Sequence, residues 1–481
     1  MTITRYFIAS LALILFSCNE DNLDLYPLTE VSEGTYYQNL SEIESAVDDV
    51  YRQIGRLWGS RSIPSLYGTL YSDNGEVVAQ LSGTPVYQPI DNHQITADNA
   101  RIEEAWNVAY NAIFICNNII EQLENTEVEI EESYKSRMRA EAIMVRSLAY
   151  FNLVRAFGDV PLVLKRIDAS EAYDYNREDS DVVYDQIISD LNIAKSALPP
   201  RYSGNDVGRL TQYGAAAVLA KVHMTRGENS AAQKELELII NSDVYSLDSN
   251  GDGTINVQDY LHLFQPDTKN SNSSILEAQY MSGVNAVNSG HQTDFSPYAE
   301  DWRHPLIDET IVRGTGFNVP TDDLASEFEE GDPRKEVTVV QGFENASGIW
   351  VEDSFTLKYF DPNWWNPGQN FEIIRYADIL LMYSEVTNDP QYLNMVRDRV
   401  GLPLYGSAEY PSDLYPTLQS AIEHERRVEL AMEMHRYFDL VRTGRVKEVM
   451  QPKVNGEVRI LFPIPLYAID VNPGLTQNPG F

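Results

Sequence analysis

The chain has 481 residues, 72 acidic and 36 basic, for a formal net charge of −36. A field of that sign repels phosphate backbones and excludes nucleic acid as a partner. Apolar residues make up 43% of the chain, enough for a packed core, while two cysteines, Cys18 and Cys116, are too few for a disulfide framework. The 29 tyrosines suit sugar-stacking surfaces and large helical cores equally.

The first segment reads as an address. Tyr6 to Phe16 is apolar except for Ser10 and follows Arg5. That run falls short of the ~20 residues a membrane-spanning helix needs, and it matches the core of a secretory signal. It ends in Leu15-Phe16-Ser17-Cys18, which resembles a bacterial lipobox. Residues 1–17 are then a lipoprotein signal peptide, and Cys18 carries the lipid at the start of the mature chain. Asn19, Glu20, Asp21 and Asp24 follow and resemble the surface-export signal of Bacteroidetes lipoproteins. The expected location is the outer membrane, lipid-anchored and facing outward.

Beyond it, helical periodicity dominates. A helix is predicted over 41–57. Ile102, Trp106, Ala109, Ile113, Cys116, Ile120 and Leu123 form one buried stripe at steps of three and four. Ala142, Val145, Ala149, Leu153 and Ala156 form a second, stopped by Phe157-Gly158-Asp159-Val160-Pro161. Further helices are predicted over 182–198, 211–225 and 230–241, and their rhythm points to tetratricopeptide-like helix pairs. Cys116 reads as a buried thiol.

The segment Asp248 to Asp259 fits an EF-hand loop template. Asp248, Asn250 and Asp252 take positions 1, 3 and 5, and Gly253 supplies the turn at 6. Thr254 offers its carbonyl at 7, Asn256 serves position 9 and Asp259 closes at 12. The expected cofactor is a structural Ca²⁺. Residues 265–370 read as a loop-rich, irregular insertion, with β-like pieces at 336–340 and 354–359. Helices resume at 375–386, 392–400 and 414–434, before an extended tail from Leu461. One domain over 18–481 is expected, all-α with this insertion.

Zinc-protease, lipase-type, phosphate-binding and CxxC motifs are all missing from the sequence, so no catalytic residue is assigned. Sugar-binding aromatics belong on loops held by a rigid frame. Two loop regions qualify. Residues 71–96 hold Tyr71, Tyr87 and Asn92, and residues 294–304 hold Tyr298, Trp302 and Arg303. Trp302 leads among the candidates, and Trp364 is a weaker one. Trp302 could instead anchor a local core of the insertion.

A series of motifs in order adds a resemblance. Leu25-Tyr26-Pro27 follows the lipidation site closely. The Trp106–Leu123 helix, Glu141–Pro161, Glu330–Arg334, Arg375–Met382, Glu425–Leu430, His435–Gly444, Phe462–Pro465 and Asn472–Gly480 follow in turn. Together they resemble the SusD/RagB family of nutrient-binding lipoproteins. The resemblance implies capture of an oligosaccharide and its delivery to a SusC-like TonB-dependent transporter. It implies no catalytic residues. Peptide capture, as in the RagB branch, and a lipid-anchored hydrolase are the alternatives. The charges at 425–427 and 436–442 are expected to be structural, paired at helical spacings.

Overall fold

The computed structural model describes residues 37–78, 83–168, 170–283, 289–363 and 365–481. Cys18 and the signal segment lie outside them. No helix among the described residues is long and apolar enough to cross a membrane.

The first half is a stack of helices. Helix α1 (Leu40–Leu57) opens at Asn39, whose side chain accepts the Glu42 N–H. Helix α2 (Thr84–Asp91) is short. Helices α3 (Ala100–Asn125) and α4 (Glu132–Phe157) pack side by side, and α4 is buried around its whole circumference from Met144 to Val154. A helix buried on every side is a core helix, and α1, α3 and α5 (Ser180–Ala197) surround it. It stops at Gly158, whose φ of +70° is open to glycine. Helices α6 (Gln212–Thr225) and α7 (Asn229–Ile240) complete the pairs. Trp106 and Cys116 are core residues, as their stripe predicts.

Helix α8 (Val257–Leu263) follows the acidic loop. Strand β1 (Ser274–Ala278) then leads into the irregular segment. Strands β2 (Ala299–His304), β3 (Ile307–Gly314), β4 (Val340–Glu344) and β5 (Trp350–Phe355) form an antiparallel sheet in the order β3-β2-β4-β5. The sequence reading missed this sheet. The predicted β-piece at 336–340 is mostly the helical turn Lys335–Thr338, and the piece at 354–359 lies C-terminal to most of β5. Strand β6 (Phe371–Arg375) returns to pair with β1, so both ends of the irregular segment meet at one place. Helices α9 (Tyr376–Thr387), α10 (Pro390–Arg399), α11 (Leu418–Glu429) and α12 (Arg436–Arg442) finish the frame.

Helix α11 is shorter than its apolar pattern suggests. It begins at a Thr417 capping box and ends at Glu429, and beyond it Met432 and Met434 take left-handed φ values of +63° and +66° that turn the chain. The turn frees carbonyls for buried cations. Lys358 Nζ donates to the Glu429 and Ala431 carbonyls at 3.1 and 2.9 Å. Arg375 donates to the Glu429 carbonyl at 2.6 Å.

Around that turn lies a buried ion lattice. Glu429 accepts from Arg334 at 2.9 Å, from Arg399 at 2.6 Å and from Arg375. Glu433 accepts from Arg375 Nε and Lys358 Nζ, both at 2.7 Å. Glu425 bridges Arg334 and Arg397. Asp332 closes on Arg334 at 2.7 Å. Burial pushes the Glu429 carboxyl up, but three guanidiniums outweigh it and hold the group well below its ordinary range. The helical spacing of Glu425 and Glu429 matters, yet their partners come from distant segments and not from the next turn.

Removing one member of such a lattice strands the others without water. Glu429→Ala is expected to cost about 3–5 kcal/mol, read as a lower denaturant midpoint. A change under 1 kcal/mol, on the order of a surface pair, would contradict the burial argument.

The β1–β6 pair holds a second electrostatic feature. Glu277 and Glu372 stand directly opposite one another, each 5% exposed. Ser274 Oγ donates to Glu372 at 2.7 Å, and the other Glu372 oxygen has no hydrogen-bond donor. Burial, then the neighbouring Glu277 charge, raise the Glu372 carboxyl well above its ordinary value, against the pull of Arg375. A raised folded-state pKa gives stability that is complete below the unfolded value of 4.5 and is lost as pH rises through the folded value. Glu372→Gln removes that loss. The variant should melt with the wild type near pH 4.5 and above it at pH 8; parallel melting curves across that range would count against a raised Glu372 carboxyl.

Candidate functional site

Two loop regions singled out in the sequence meet on one face. Tyr87 of α2 stacks on Phe317, centroids 4.3 Å apart and 15° from parallel. The Val78 N–H donates to the Gly316 carbonyl at 2.9 Å. Gly316 has φ +62°, and a Cβ there would crowd Val78 and Tyr298. Residues 77–78 and 298 are thereby fixed against one turn.

Asp294 sits between them on the short helix His291–Phe295. It accepts the Thr315 hydroxyl at 2.9 Å. Burial pushes its carboxyl up to about 6, against the hydroxyls of Thr315 and Ser60 and the guanidiniums of Arg61 and Arg101. Arg101 lies over the Tyr87 ring at 5.3 Å. Glu104 pairs with Arg101 and, at 3.6 Å, with the exposed Arg61. Tyr298 stands at the edge of this polar floor, 38% exposed. Trp365 is 76% exposed. Its segment borders the same floor, because Ser289 N–H donates to the Pro367 carbonyl at 3.2 Å and Gly290 packs on Ser60.

Several predicted ligand residues are not available. Trp302 is 1% exposed and packs edge-on against Phe343 and Phe355. It anchors the core of the β-sheet, because period-2 alternation turns it inward and Arg303 outward. Tyr71 is fully buried, stacked on His93 at 3.5 Å, with its hydroxyl donating to the Arg459 carbonyl. Tyr87 is 3% exposed and supports the floor from beneath. Asn92 is exposed, beyond the end of α2 that Asp91 ties to Val77 and Lys453. Arg303 is exposed on the sheet, and Trp364 lies outside the described residues. The sequence reading missed Arg61, Arg101 and Glu104; helix positions three apart, Arg101 and Glu104, were the available signal.

The loop at 248–259 is folded around its acidic side chains. Asp248 accepts the N–H groups of Gly251, Asp252 and Gly253 at 2.8, 3.1 and 2.9 Å. Asn250 and Asp252 accept the N–H groups of Asp252 and Thr254. Asp259 is fully buried and accepts from Ser249 and Asn256, both at 2.9 Å. The Thr254 carbonyl meets the Asn256 amide at 3.4 Å. These are hard oxygen donors of the type a Ca²⁺ loop uses. Among the described residues, no three His, Cys, Asp or Glu side chains converge as a metal site. Here Asp259 is drawn into the capping box of α8.

Comparison with known proteins agrees with this architecture. The family described as "Starch-binding associating with outer membrane" matches residues 30–224, and the SusD family matches residues 342–481. The SusD-like protein P25 of Formosa agariphila is 25% identical, over 96% of this chain and 95% of its own. A SusD-like protein of Bacteroides ovatus is 26% identical, over 90% of this chain and 81% of its own. The solved structure of a laminarin binding SusD-like protein superposes with a TM-score of 0.78 at 27% identity, covering 92% of this chain and all of the other. Surface glycan-binding protein A from Bacteroides thetaiotaomicron, solved with laminarihexaose, shares the fold with a TM-score of 0.76 at 22% identity, over 92% of this chain and all of its own. With residues 30–224 and 342–481 matched by SusD families and the helical frame shared, this chain belongs to the SusD/RagB family.

Proposed function

We propose that the protein is a surface glycan-binding lipoprotein, anchored through Cys18 in the outer membrane, which captures an oligo- or polysaccharide for a SusC-like TonB-dependent transporter. The observation that carries the binding role is the exposure of two rings, Tyr298 and Trp365, each on a segment held against the helical frame. Exposed rings offer apolar surface to the C–H faces of a sugar, and Arg61 and Glu104, which reach the surface above the buried Asp294, supply a donor and an acceptor for hydroxyls. The relatives named for laminarin and laminarihexaose make a neutral glucan the first ligand to try. Family membership supports binding without catalysis and an outer-membrane address.

The expected assay result is retardation of the chain from Asn22 onward in a native gel containing one polysaccharide among laminarin, starch, xylan and alginate. Trp365→Ala and Tyr298→Ala should each weaken it by roughly 0.5–1.5 kcal/mol. Retardation by none of the four, or release of reducing sugar, would sink the reading; the second result would point to the hydrolase alternative.

The 248–259 loop is proposed to take a structural Ca²⁺, supported by its full set of oxygen donors at template positions. Asp248, Asn250, Asp252, Thr254, Asn256 and Asp259 would hold it. A ligand at a hundred times its Kd stabilises by about 2.7 kcal/mol. The melting temperature should rise in Ca²⁺ over EGTA, and Asp248→Ala should abolish the rise. An unchanged wild-type melting temperature rejects the site.

A further inference from the structure

The β2–β5 sheet has two sides, and its core uses one. Trp302, Phe343 and Phe355 pack inward. Directly opposed residues of an antiparallel pair project to the same side. Arg303 opposes Glu344, and Glu344 opposes Trp350. Guanidinium, carboxylate and indole therefore stand in a row on the outward side, all three exposed.

The indole is seated deliberately. Gly342 lies beneath it with φ +81°, and a Cβ at that position would collide with the six-membered ring and Nε1. One ring face rests on backbone, and Trp350 keeps 46% of its surface exposed. His304 flanks it at 5.9 Å and 38°. Two strand spacings separate Arg303 from Trp350, about 10 Å, a span suited to linked sugar rings more than to a single ion. The row itself carries one charge of each sign, and Glu352, the next outward residue of β5, adds a carboxylate that disfavours an anionic partner. An open aromatic face beside a donor and an acceptor is the chemistry of a neutral polyol.

We propose that this outward side is a second saccharide-binding surface, distinct from the Tyr298 face. It rests on the glycan-binding reading above. Tyr298 precedes β2 and Arg303 lies near its end, so the two surfaces are roughly 17 Å apart along one strand. A polysaccharide can engage both, while a short oligosaccharide fills one. Dual engagement multiplies affinity through effective concentration.

The test uses the chain from Asn22 onward and the polysaccharide that retards it in the four-member panel. Trp350→Ala is expected to lower apparent polysaccharide affinity about tenfold while leaving calorimetric binding of the matching hexasaccharide within twofold. Glu344→Ala, which leaves the indole in place, should do the same to a smaller extent and covers the case of a misfolded Trp350 variant. Wild-type polysaccharide affinity in both variants overturns the second surface and leaves the first intact. Failure of the wild-type chain to bind any of the four overturns both.

Discussion

The fold depends on a carboxylate at the end of a helix. Glu429 takes hydrogen bonds from Arg334, Arg375 and Arg399, and these come from three separate stretches of chain. Arg334 belongs to the irregular segment, Arg375 to its returning strand and Arg399 to the end of α10. One buried anion thus ties the loop-rich part to the helical frame. Tyr260 of α8 completes the arrangement. Its ring centroid lies 5.2–5.9 Å from Lys358 Nζ and the Arg375 and Arg399 guanidiniums, so three cations share one aromatic ring. The acidic loop at 248–259 immediately precedes that ring, so its conformation bears on the lattice directly.

Such pairing also shapes the outside. Buried guanidiniums are matched locally by carboxylates, so the lattice is close to neutral. The excess of negative charge, −36 over the chain, is therefore carried by the surface. A neutral ligand meets no penalty there, whereas an anionic polymer would be repelled over about a Debye length, roughly 8 Å at physiological salt.

Helices were legible because their burial repeats along one stripe. Trp106 and Cys116 sit where that stripe puts them, and the stop at Gly158 follows from local chemistry. The frame's electrostatics were legible only in part. Glu425 and Glu429 advertise a helical pair by spacing, but their cations lie far away in sequence, and nothing local encodes such partners. Trp302 was misplaced for another reason. Its neighbours in Asp-Trp-Arg-His look like a solvent loop, yet alternation in β2 turns the indole inward and its neighbour outward. Tyr71 and Tyr87 went inside because their segments coil into short helices against the frame. Tyr298 alone kept the exposure expected of a ring in that region.

The meeting of β1 and β6 carries an evolutionary consequence. Ala278 and Phe371 are register partners, so the chain between them leaves and re-enters the frame at one place, and residues 316–327 touch the frame again at residues 73–78 and at α11. Closing a flexible excursion grows costlier only logarithmically, with each doubling in length adding about 0.6 kcal/mol. Provided those contacts and the arginine and lysine that reach back to the lattice are kept, the stretches between them can be lengthened, trimmed or rewritten. New appetites can then arise by exchanging these stretches, with no refolding of the scaffold that holds them.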